Sequence, residues 1–88
     1  MTEIVSDETA LRIATIRDIA ADVFSVEPED VERAGSFITD LEADSLLAIE
    51  LVSQLEMRFD IAIDESQMPR LMTSLQTAYE AVAESAGW

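Results

Sequence analysis

The sequence contains no cysteine, no histidine and no lysine. Without cysteine there are no disulfide staples and no thiolate nucleophile. With histidine also missing there is no Cys/His zinc site and no histidine-based triad. Any chemistry of the chain's own would rest on carboxylates, hydroxyls or its five arginines. The missing cysteine fits a reducing compartment, and a cytoplasmic location is expected. Long apolar runs are absent too: none approaches the ~20 residues that span a bilayer. Met1 to Asp7 is short and acidic and does not resemble a signal peptide. Positive charge is scarce, with 19 Asp and Glu against five Arg and a formal net charge of −14. Such a surface repels nucleic acid and anionic membrane, and steers the protein toward basic patches on protein partners. High charge favours disorder, but a hydrophobic content of 49% argues for a folded chain. The 88 residues fit one small domain, 1–88, and leave no room for two. A domain of this size buries about 60–65% of its unfolded surface, so its core is thin.

What is present is helical periodicity. Ile13, Ile16, Ala20 and Val23 recur at i+3 and i+4, widened by Ile19 and Phe24, and predict a first helix over 7–24. Ser6 suits its N-cap, Asp7 and Glu8 its positive end, and Arg12, Arg17, Asp18 and Asp22 its wet side. A long connection follows from Ser25 to Ala43, with a single turn at Pro28-Glu29-Asp30-Val31 and a break at Gly35. Phe37 and Leu41 are its apolar anchors, so it is expected to be ordered. Ala48, Leu51, Val52, Leu55 and Phe59 predict a second helix over 45–59, capped by Asp44. Ile61-Ala62-Ile63 predicts a tether. Over 64–72 a short third helix or irregular turn is expected, capped by Asp64 and limited by Pro69, with Met68, Leu71 and Met72 inward. Leu75, Ala78, Tyr79 and Val82 predict a last helix over 74–85. Thr73-Ser74-Leu75-Gln76 fits its capping box and Gly87 its end. The fold class is therefore all-α, a small four-helix bundle with three longer helices, one short third helix and a long first loop.

The chemistry concentrates at Asp40-Leu41-Glu42-Ala43-Asp44-Ser45-Leu46. Alternating acids suggest calcium, but a loop starting at Asp40 puts Ser45 where glycine is needed and Leu51 where a bidentate Glu is needed. No metal is expected. Ser45 itself stands at a predicted helix N-terminus, where unpaired N–H groups and the dipole favour an anion. No His or Lys can activate it, and Asp44 is needed for capping. It suits the role of substrate for a modifying enzyme, not that of catalyst. On the tripeptide alone, an ordinary Asp-Ser cap explains these residues equally well.

The wider pattern is more specific. Asp-Leu-x-Ala-Asp-Ser-Leu, followed by Glu50-Leu51-Val52, Leu55-Glu56 and Phe59, strongly resembles the acyl carrier protein family. Ser36-Phe37, Ile63-Asp64-Glu65 and Thr73-Ser74-Leu75-Gln76 extend the resemblance over about residues 8 to 84. It implies a four-helix carrier fold with 4′-phosphopantetheine, derived from coenzyme A, on Ser45 between Asp44 and Leu46. The arm's thiol would carry acyl or aminoacyl groups as thioesters, supplying the sulfur that the composition lacks. One departure is Glu42, where the family usually has Gly, which implies a different path into the loop. The resemblance also makes the second helix the docking surface. Glu42, Asp44, Leu46, Leu47, Glu50, Ser53, Glu56 and Met57 are its candidate contacts. From Phe37 to Glu65 there are eight acids and one arginine, Arg58. An ordinary solvated acidic face would give the same composition. Leu46 and Leu47 would form an apolar patch beside the arm unless Leu47 tucks under the loop. Met68, Leu71 and Met72 would border an acyl cleft or fill the core.

The expected function is that of a discrete, non-enzymatic carrier in polyketide or mixed peptide–polyketide synthesis. The thinned acidic helix and the segment Met68-Pro69-Arg70-Leu71 favour this over fatty-acid synthesis. The absence of linkers at either end is expected of a stand-alone carrier. Implied partners are a phosphopantetheinyl transferase and an acyltransferase, an acyl or aminoacyl ligase, or a ketosynthase with a basic docking patch. They would meet a monomer in transient complexes. The alternatives are a carrier of fatty-acid synthesis and an acidic helical interaction module without a cofactor.

Overall fold

The computed structural model describes residues 4–88, with side chains from Glu8 onward, and every regular element among them is helical. The first helix, α1 (Ile4–Phe24), buries Ile16, Ala20, Val23 and Phe24 and packs Ile19 against the core. It already includes Ile4, so Ser6 lies inside it and is not its N-cap. No Pro or Gly intervenes there, and a nucleated helix extends until something stops it. The predicted wet side is only partly wet. The Arg17 guanidinium bridges Asp18 at 2.9 Å and Glu32 of the next helix at 2.8 Å. Arg12 pairs with Glu8 at 2.8 Å and lies 4.1 Å from the centre of the Trp88 ring.

The long connection is more regular than the sequence suggested, because it holds two short helices. The first, α2 (Pro28–Arg33), has Pro28 in its opening turn and a capping box in which the Glu27 N–H donates to the Asp30 carboxylate at 3.2 Å. Its Val31 is fully buried. The second, α3 (Phe37–Asp40), begins at Ser36, whose hydroxyl accepts the Thr39 N–H. Phe37 is fully buried, its ring 5.3 Å from that of Phe24. Leu41 packs partly against the core, as an anchor should.

The second long helix is α4 (Ser45–Phe59), with the predicted bounds. Ala48, Leu51 and Leu55 are buried, while Val52 and Phe59 pack at the edge of the core. It ends on Asp60 in the left-handed region, φ 55°, whose N–H donates to the Glu56 carbonyl. The tether through Ile61 and Ile63 follows. A 3₁₀ turn (Glu65–Gln67) then runs into α5 (Met68–Leu71), with Pro69 in its first turn. Asp64 does not cap this turn through its side chain. Its carboxylate accepts the Ser66 hydroxyl at 2.7 Å instead.

The last helix is α6 (Leu75–Ala86), closed by Gly87 at φ 77°. Its capping box lies one residue later than predicted, on Ser74 and Thr77. The Thr73 hydroxyl is already committed to the Pro69 carbonyl at 2.7 Å, and the Gln76 amide donates to Glu80. Ala78, Ala81 and Val82 are buried, and Leu75 and Tyr79 pack beside them. Helix α1 lies against α2, α4 and α6, and α5 bridges α4 and α6. Beyond α6, Trp88 packs edge-on to Phe59 at 5.2 Å and lies 6.0 Å from Tyr79. With Arg12 this joins the end of α4 to α1 and α6. Leu71 is fully buried, Met72 is buried, and Met68 packs partly against the core.

Arg70 fastens α5 to α6. Its guanidinium lies 3.0 Å from Glu84 and 3.7 Å from Glu80, and accompanies a Gln67 amide that donates to Glu84. Arg70, with help from Gln67, holds the Glu84 carboxyl below the usual carboxylate range. A depressed folded value adds stability that is present above the unfolded value and lost as pH falls through the folded one. Glu84→Gln should therefore lower the thermal midpoint at neutral pH. The difference should shrink once pH falls below the ordinary glutamate value, about 4.3, and vanish only below the depressed folded value, where the wild-type carboxyl is also neutral. Thermal melts of both proteins across that range check it. The burial of Phe37 gives a second expectation: Phe37→Ala should cost about 3–5 kcal/mol in urea unfolding, a large share of the stability of a domain this size.

Candidate functional site

Ser45 is the first residue of α4, and it is exposed. Asp44 before it is extended, φ −119° and ψ −174°, and its carboxylate accepts the Leu47 N–H at 3.0 Å. That bond satisfies one of the four N–H groups that a helix start leaves unpaired. It also commits Asp44, so the nearest carboxylate is not a free base for the Ser45 hydroxyl. The site is an accessible alcohol at the positive end of a 15-residue helix.

The loop before Ser45 is held by hydrogen bonds that converge on the backbone of Phe37 and the carboxylate of Asp40. The Phe37 N–H points at the carbonyls of Met72 and Thr73, at 3.2 and 3.0 Å. The Phe37 carbonyl accepts from Leu41 and Ala43, at 3.0 and 3.2 Å. Asp40 turns back on its own helix start, its carboxylate accepting the N–H groups of Gly35 at 2.8 Å and Ser36 at 3.3 Å. These bonds tie Ser45 to the corner between α5 and α6. Glu42 lies between them at φ 55°, in the left-handed region that favours glycine. The different path expected from Glu42 is thus not what the backbone takes. The loop adopts the glycine-like geometry with a glutamate in it, at a cost of about 1–2 kcal/mol.

A depression of about 390 Å³ opens beside Ser45, lined by Ile38, Ala43, Asp44, Ser45, Ala48 and Met72. Of the three residues expected to border an acyl cleft, only Met72 lines it. Leu71 is fully buried in the core and Met68 packs against the core. At i, i+3 and i+4 spacing the three share one face, and that face is spent on the core, with Met72 alone also reaching the recess.

The docking candidates separate in the same way. Leu46 and Met57 are 75% and 73% exposed, and Glu42, Glu50 and Ser53 are exposed beside them. Leu47 is half-buried against the core, so it does not pair with Leu46 in a surface patch. Glu56 is half-buried too, and its carboxylate accepts the Ile63 N–H at 2.8 Å. It holds the tether. Near the site, two exposed apolar residues escaped the sequence reading. Ile49, 57% exposed, was legible from its i+3 spacing to Leu46. Ile38, 58% exposed, sits in the four-residue α3 and carried no periodic signal.

An all-helical bundle that offers an unactivated alcohol at a helix start, beside an apolar recess, has the form of a carrier domain. Residues 14–83 match the family model described as phosphopantetheine attachment site. Polyketide-8 synthase acyl carrier protein 2 of Streptomyces avermitilis is 33% identical over 79 residues, 90% of each chain. An acyl carrier protein of Chlamydia muridarum is 43% identical over 58 residues, 66% of this chain and 75% of that one. A chain in the solved structure of the ishigamide ketosynthase/chain length factor superposes with a TM-score of 0.71 at 38% identity, covering 88% of this chain and 96% of that one. The chain belongs to the acyl carrier protein family. Its cofactor is 4′-phosphopantetheine. The residues fit that group: an exposed hydroxyl, unpaired first-turn N–H groups for its phosphate, and an apolar recess beside them.

The left-handed Glu42 yields a stability test. Glu42→Gly relieves the side-chain strain but frees the unfolded chain, and the two effects partly cancel. A net gain of up to about 1 kcal/mol is expected in urea unfolding. A clear loss of stability would show that the Glu42 side chain contributes more than its backbone strain removes.

Proposed function

We propose that this protein holds acyl or aminoacyl intermediates of polyketide-type synthesis on a phosphopantetheine arm at Ser45, and delivers them to partner enzymes. The observation that carries this reading is Ser45 itself, exposed as the first residue of α4 beside the Ile38–Met72 recess. The arm supplies a thiol on which such groups ride as thioesters. The protein's own residues position it. The Asp44 cap fixes the helix start, Phe37 and Asp40 fix the loop, and the free first-turn N–H groups favour the phosphodiester charge. No residue here acts on the thioester, so bond making and breaking fall to partners: a phosphopantetheinyl transferase first, then a ligase or acyltransferase and a ketosynthase. Support for the polyketide setting comes from the Streptomyces avermitilis carrier and the ishigamide ketosynthase/chain length factor, which are matched over most of this chain. The shorter but more identical match to the Chlamydia muridarum acyl carrier protein, whose name carries no polyketide setting, leaves fatty-acid synthesis as the second reading.

Incubation with a phosphopantetheinyl transferase and coenzyme A should raise the intact mass by one phosphopantetheinyl group. Ser45→Ala should abolish the gain while leaving the helical circular dichroism unchanged, because the side chain is exposed in the first turn. A wild-type chain that gains no mass would refute the carrier reading. Efficient chain elongation on the loaded protein by fatty-acid enzymes, with none by polyketide ketosynthases, would favour the second setting.

A further inference from the structure

Helices α4 and α6 are bridged at two places. Their backbones scarcely approach each other directly, and α5 spans the gap near Ser45, where Met72 lines the recess with Ala48. The other bridge is a single side chain. Trp88 packs edge-on to Phe59, the last residue of α4, and lies 6.0 Å from Tyr79 of α6. The Arg12 guanidinium of α1 covers its ring at 4.1 Å and is itself held by Glu8 at 2.8 Å. At 1.5 Å per residue, this cluster stands about 20 Å from Ser45 along α4.

Trp88 is not attached as a core residue is. The fully buried Leu51, Leu55 and Val82 sit within helices, whereas Trp88 follows α6 and keeps 39% of its surface exposed. A backbone bond from its N–H to the Ala83 carbonyl, 2.9 Å long, ties it to α6. Gly87 before it is left-handed at φ 77°, and a Cβ there would meet no atom within 4 Å, so the joint is uncrowded. The contacts to Phe59, Tyr79 and Arg12 are all made by one ring. Each is individually weak, and all are made or lost together.

We propose that Gly87 and Trp88 form a latch: Gly87 is the hinge, and docking or release of the indole closes or opens the bundle at the end away from Ser45. Release uncovers Phe59 and Tyr79, and it unties the end of α4 from α1 and α6. The Ser45 end is untouched, because it is held through Asp44, Phe37 and Asp40 and none of those bonds involves Trp88. The bundle thereby yields by a local opening that leaves the attachment site in place.

Trp88 is the only tryptophan, so its fluorescence reports the latch directly. Gly87→Ala burdens the left-handed hinge and Arg12→Gln removes the cation over the ring, and both keep the indole. Each should raise acrylamide quenching of Trp88 about twofold or more and shift its emission to the red, with helical circular dichroism unchanged. In the wild-type chain, amide exchange at Phe59 and Asp60 should proceed by local opening, at a rate nearly constant up to about 1 M urea. Leu51 and Leu55 should exchange through global unfolding and accelerate with urea. This arm needs no variant, so it decides the matter even if a substitution unfolds the chain. Wild-type quenching in both variants overturns the inference, as does exchange at Phe59 that accelerates with urea in step with Leu51.

Discussion

The backbone of Phe37 is the joint on which the rest of the site depends. Its ring is fully buried against Phe24 at the end of α1, which fixes its place in the core. From there its N–H reaches the carbonyls of Met72 and Thr73, and its carbonyl takes the N–H groups of Leu41 and Ala43. One residue thereby links the first helix, the α5–α6 corner and the loop that leads to Ser45. A thin core cannot hold a long connection by area alone. It can do so if a single large side chain is buried and the polar groups on either side of it are satisfied. Ordering of the loop, and with it the placement of Ser45, follows from that one anchor.

The acids have the opposite character. As a total they make the surface strongly negative, but individually many are hydrogen-bond acceptors for the backbone. Asp40, Asp44 and Glu56 accept N–H groups that would otherwise be left unpaired at helix starts or in the tether. A carboxylate serves well here, because charge-assisted bonds to N–H are stronger than neutral ones. The consequence is seen at the surface: Glu56 is drawn half-inward to Ile63, and the outer face of α4 is left mostly apolar. Composition therefore overstates how electrostatic the recognition surface is.

Much of this was legible in the sequence, for particular reasons. The bounds of α4 were readable because Asp44 is an unambiguous cap and Leu51, Leu55 and Phe59 keep strict helical spacing. Phe37 and Leu41 were readable as anchors because they are large and apolar in a polar stretch. The start of α1 was not, since Ser6 looks like a cap but nothing before it forbids helix. The capping box of α6 was displaced because Thr73 and Ser74 both qualify. Only tertiary structure shows the Thr73 hydroxyl bonded to the Pro69 carbonyl. The division of labour among the acids and the burial of Leu47 were also out of reach. Both depend on which partner lies across the fold, and no local pattern encodes that.

The two ends of α4 show how the bundle reconciles rigidity with an undemanding site. At its far end Phe59 meets Trp88, which in turn stacks near Tyr79 and under Arg12, so the helix is fixed from three sides. At its near end it is fixed by hydrogen bonds to the backbone, and no bulky group crowds Ser45. An alcohol that must be reached by one enzyme and whose arm must enter others benefits from that asymmetry. Apolar packing close to Ser45 would restrict access. A site held only by its cap and loop stays open, while the distant aromatic cluster supplies stiffness. The strain at Glu42 belongs to the same arrangement: a left-handed residue two positions before the cap turns the chain sharply, so that Ser45 emerges at the helix start beside the recess and not beneath it.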